Sequence, residues 1–129
     1  MLDLEVLAGD YAICRLPART GMPAGLTAGI AAGAVVSVTW TPDEVSILCP
    51  AQLAPAEATV ETPWRCLRVA GPVDLALTGI LASLAVPLAD ARVNIFAFST
   101  YDTDYLLVPS VRLPAAISAL TAAGHRVTP

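Results

Sequence analysis

From residue 64 to its end the chain reads β-α-β-β-α-β, and a worn copy of the same order precedes it. A tight turn at Thr41-Pro42-Asp43-Glu44 and a helix closed by Gly124 mark the clearest element boundaries. Together these observations predict an α+β fold of two tandem ferredoxin-like (βαββαβ) modules, with antiparallel sheets and helices on one face. The modules are expected over residues 1–60 and 61–129, the first of them degenerate.

The first strand spans residues 2–17, interrupted at Ala8-Gly9-Asp10 and resumed at Tyr11. Pro23–Ala32 is expected to form only a short, weak helix, because each glycine in it costs about 1 kcal/mol relative to alanine. Val36–Trp40 and Val45–Cys49 are β-branched and partly alternating, and Pro followed by Asp between them suits a type I hairpin turn. Pro50–Pro63, rich in proline, alanine and acids, reads as a loop with one helical turn.

Arg65–Val69 is the next strand, broken by Gly71-Pro72. Thr78 is a candidate cap for a helix from Gly79 to about Ala89, whose Ile80, Leu81, Leu84 and Leu88 recur near the 3.6 period. Pro87 falls inside it and is expected to kink or shorten the last turn. Val93–Phe98 is nearly all apolar and reads as a central buried strand, with Phe96 and Phe98 on one face in the core. Ser99–Asp104 turns the chain into Tyr105–Val108. Leu113–Ala123 is a helix with Pro114 in its first turn and Gly124 just past its end, and His125–Val127 closes the fold as a short strand.

Composition narrows the function classes. The chain is 56% hydrophobic and 14% charged, more apolar than 129 residues can bury alone, so self-association is expected, a homodimer first. It has a net charge of -4, no lysine and seven dispersed arginines, which argues against a nucleic-acid surface. No secretory signal is visible, and the uncharged run Thr20–Pro42 is too rich in glycine and alanine for a membrane span. A cytoplasmic location is expected. Cys14, Cys49 and Cys66 form no CxxC pair and read as buried thiols, while the single histidine, His125, reads as solvated near a helix end. Neither a metal site, a cofactor motif nor a nucleophile elbow is legible, so no catalysis is expected.

Three segments, Thr41–Pro50, Gly79–Leu88 and Ile95–Val108, resemble small bacterial proteins built of paired ACT domains and related to the CASTOR-type cytosolic arginine sensors. The resemblance spans nearly the whole chain and is strongest from Trp64 to Val127. It implies an amino-acid-binding regulatory protein with its ligand held at an interface between ACT modules. Carried over, one side of that site is the loop before the helix: Asp74, Leu77, Thr78, Gly79 and Ile80. The other side is the polar turn: Ser99, Thr100, Tyr101, Thr103 and Asp104.

Two departures stand out: the arginine sensors carry an acidic residue where this chain has Leu77, and an aromatic where it has Thr103. Asp74 and Asp104 remain compatible with a cationic amino acid. Physical chemistry supports the same placement, because free N–H groups at a helix start favour a carboxylate and an aspartate can face a cation. Asp102 and Asp104 read equally as turn caps or solvated groups. The competing reading is a structural or adaptor protein that self-associates through its sheets and binds no metabolite.

Overall fold

The computed structural model describes residues 1–71, 73–74 and 77–129. In chain order the elements are β1 (Asp3–Val6), β2 (Tyr11–Pro17), α1 (Ala28–Ala31), β3 (Ser37–Trp40), β4 (Glu44–Pro50) and β5 (Thr59–Val69). They continue with α2 (Ile80–Asp90), β6 (Phe96–Ser99), β7 (Asp104–Pro109), α3 (Leu113–Ala122) and β8 (Arg126–Thr128). Two compact units emerge, one of residues Ala8–Trp64 and one of Met1–Leu7 with Arg65–Pro129.

The unit Ala8–Trp64 has the strand order β3-β4-β2-β5, which is the ferredoxin-like order. Its helices are vestigial: α1 keeps four residues of the expected Pro23–Ala32, and only a 3₁₀ turn, Ala51–Leu53, precedes β5. The hairpin is closed as expected at Thr41, whose N–H donates to Glu44 O (2.9 Å) and whose hydroxyl accepts from the amides of Asp43 and Glu44. The expected loop gives way earlier than predicted, since Thr59–Pro63 already belongs to β5 and pairs with β2. Alternating side chains Ala12, Cys14, Leu16, Val45, Ile47 and Cys49 form this unit's core with Leu26. Tyr11 is also buried, and its hydroxyl has a partner there, accepting from the N–H of Val35 at 3.1 Å.

The second unit follows β-α-β-β-α-β with one addition. Its strand order is β8-β1-β5-β7-β6, so the N-terminal strand lies between the first and last strands of the motif. The grouping expected over 1–60 placed this strand in the N-terminal module. Instead it pairs antiparallel with β5 and parallel with β8. Leu4 enters the core there, and Glu5 meets Arg68 across the pair at 2.9 Å. Leu67, Val69, Leu106 and Val108 share one sheet face and pack on Leu84 and Leu88 of α2 and Ala116 and Leu120 of α3, so both helices cover that face.

The expected central strand Val93–Phe98 is corrected. β6 starts only at Phe96 and pairs with β7 alone, so among the described residues it is an edge strand. The apolar run misled because Val93 and Ile95 dock on the core before the strand begins. Phe96 and Phe98 are half-buried, and Phe98 stacks on Tyr105 with ring centroids 4.7 Å apart.

All three cysteines are buried free thiols. Burial pushes the Cys66 thiol up to about 12 from an ordinary 9.0. Cys49 is likewise raised to about 12, by burial first and then by its neighbour Cys14. The folded state therefore holds protons that the unfolded chain releases, so this stability is complete below pH 9 and is lost as pH rises from 9 towards 12. For Cys66 the loss is about 1.4 kcal/mol per pH unit within that window. The chain has no lysine but three tyrosines that titrate in the same window, so the effect is read as the difference in urea unfolding between wild type and Cys66→Ala from pH 9 to 12. An unchanged alkaline slope in Cys66→Ala refutes it.

Candidate functional site

The site is built at one end of the second unit, where the loop before α2 faces the turn between β6 and β7. Gly79 takes φ +78°, in the left-handed region that favours glycine, and starts α2 directly. The expected cap at Thr78 is absent: the N-cap position is Gly79, which has no side chain to offer the first-turn amides. Leu84 and Leu88 anchor the helix in the core and so fix where its N-terminus points.

Pro87 does not break α2, which runs unbroken to Asp90. A proline there lacks the N–H that would reach the carbonyl of Ser83 four residues earlier. His125 supplies the missing donor. Its Nδ1 accepts from the N–H of Leu2 at 3.1 Å, so the ring proton sits on Nε2 and is donated to Ser83 O at 3.0 Å. The solvated histidine expected from sequence is therefore only 7% exposed, and it ties β1, β8 and α2 together.

The turn is ordered from within. Thr100 N–H donates to Thr103 O at 2.9 Å, and the Ser99 hydroxyl donates to Asp104 Oδ1. The two segments are also laced together, since Val73 N–H donates to Asp102 O at 2.7 Å and Thr103 Oγ1 donates to Val69 O at 2.6 Å.

Between them lies a cavity of about 220 Å³. Val73, Asp74, Leu77, Gly79, Ile80 and Leu81 line one wall, and Thr100, Thr103 and Asp104 line the other. Seven of the ten expected residues meet there: Asp74, Leu77, Gly79, Ile80, Thr100, Thr103 and Asp104. Thr78, Ser99 and Tyr101 are not on its walls, and Tyr101 is 82% exposed. The sequence reading missed Val73 and Leu81, apolar neighbours of the polar residues it selected; their only signal is adjacency. Pro72, Leu75 and Ala76 of the same loop lie outside the described residues. Asp74 and Asp104 set one carboxylate on each wall. Among the described residues no group of three His, Cys, Asp or Glu side chains is placed to hold a metal ion. No helix among them is long and apolar enough to cross a membrane.

Comparison with known proteins places this architecture. Residues 59–122 match the ACT domain family. The crystal structure of protein Atu0741 from Agrobacterium tumefaciens is 37% identical, covers 98% of this chain and 91% of that one, and superposes with a TM-score of 0.88. The chain belongs to the same family as Atu0741, and its residues 59–122 are an ACT domain. That ACT domain carries every wall of the cavity. The cytosolic arginine sensor for mTORC1 subunit 1 from Bos taurus is 32% identical over 95 residues. The match takes in 65% of this chain but 29% of that sensor, so the chain spans less than a third of its curated relative. The regulatory subunit of aspartate kinase from Thermus flavus shares the fold at 15% identity, with a TM-score of 0.62 over 93% of this chain and 95% of that one.

Proposed function

We propose that this is an amino-acid-binding regulatory protein of the cytoplasm that carries out no catalysis, its ligand held in the cavity between α2 and the β6–β7 turn. The observation that carries the reading is the meeting of Asp74, Leu77, Gly79, Ile80 and Leu81 with Thr100, Thr103 and Asp104 around one small cavity. In this reading the ligand carboxylate takes amides at the start of α2, and its ammonium takes the carbonyl of Thr100. Asp104, with Asp74 opposite, selects a cationic side chain. The likeness to an arginine sensor supports this choice of ligand class.

A second copy covers the cavity mouth in the same reading. Leu77, Leu81 and Val86 are exposed large apolar residues, and α2 has no charged residue before Asp90, which is the composition of a face meant to be covered. The N-terminal unit then acts as a degenerate ACT-like module. Thermal melts with each of the twenty amino acids test the proposal. A cationic amino acid at a hundredfold excess over its Kd is expected to stabilise the fold by about 2.7 kcal/mol. If none of the twenty raises Tm at millimolar concentration, the sensing reading is wrong.

A further inference from the structure

We infer that Thr103 is a positioning residue, rather than a ligand contact, and that with Gly71 it sets the gap between the two walls of the cavity before any ligand arrives. This rests on the amino-acid-binding reading for its functional meaning, although the device itself belongs to the ligand-free protein. Thr103 is 7% exposed, and its hydroxyl proton is committed to Val69 O at 2.6 Å, on the last residue of β5. Four residues further along, Val73 N–H reaches back across the gap to Asp102 O at 2.7 Å. The two bonds therefore join the same pair of segments on either side of Gly71.

Gly71, between the two bonds, sits close against the turn. A Cβ built there would lie 3.2 Å from Asp102 O and 3.2 Å from the Thr103 Cβ, so any side chain must push the turn away. Its φ is unremarkable, which leaves proximity as the reason for glycine. The stapled residues are continuous with the walls, since Val73 lines one and Thr103 the other. A preformed gap spares the ligand the entropy of ordering both segments, which is how rigid sites gain affinity.

Amide hydrogen exchange on the ligand-free protein tests this without knowing the ligand. The Val73 amide is expected to be protected in the wild type and in Thr103→Ser, which keeps the hydroxyl. In Thr103→Val it is expected to exchange at least about tenfold faster, while the Leu106 and Leu107 amides of β7 keep their protection and so exclude general loosening. Gly71→Ala is expected to act in the same direction. An unprotected Val73 in the wild type, or equal Val73 protection in Thr103→Val, overturns the inference. Melts with L-arginine and L-leucine on the same variants then separate the two ideas. Exchange as expected with no shift by either amino acid leaves the staple standing and counts against the sensing role alone.

Discussion

Asp104→Asn is expected to remove most of the stabilisation that a cationic amino acid confers, while leaving the ligand-free protein nearly intact. Asparagine keeps the shape and can still accept from the Ser99 hydroxyl, so the cost to the free fold is within about 1.5 kcal/mol. The cost to binding is larger, because a bound cation loses its opposing charge. Losses of about 2–4 kcal/mol are usual for such pairs, roughly 30- to 1000-fold in Kd. Isothermal titration with L-arginine beside L-leucine on the same protein reads both effects. A variant that binds arginine as tightly as the wild type does would mean that Asp104 is not the selecting group.

Removing the His125 ring is expected to be the most damaging single change outside the apolar core. His125→Ala leaves two backbone groups without their partner, the Ser83 carbonyl and the Leu2 N–H. A fully buried orphan costs about 1–3 kcal/mol, and both of these bonds are only part-buried, so a combined loss of about 2–3 kcal/mol is expected. The Ser83 share arises only because residue 87 is proline. Pro87→Ala restores an N–H to the helix ladder, so it should stabilise the His125→Ala protein more than it stabilises the wild type. A double-mutant cycle by urea unfolding measures that difference. Strict additivity would show that the histidine does not compensate for the proline.

His125 also shows where sequence reasoning fails. A lone polar residue after a helix-ending glycine is ordinarily solvated, and nothing local announces that a carbonyl 42 residues earlier needs a donor. The same holds for β1. Its alternation marks a strand, but whether it pairs with β2 or with β5 and β8 depends on edges that form only in the folded chain. Val93–Phe98 failed for a related reason: an apolar run reports burial, and residues leading into an edge strand can supply that burial themselves.

The hairpin, the helices over 80–90 and 113–122, and both cavity-bearing segments were legible because their signals are local. Turn residues, 3.6-residue spacing and a terminal glycine act within a few positions of one another. The site was legible as two stretches of sequence, and seven of its ten expected residues line one cavity.

By itself, then, the sequence determined the α+β class, the element order and the two segments that carry the cavity, because backbone propensity and side-chain period are local properties. Tertiary structure alone decided which unit takes the N-terminal strand, which turn hydroxyls face inward and which donor serves Ser83. Those outcomes depend on hydrogen bonds between residues far apart in the chain, and no local pattern encodes them.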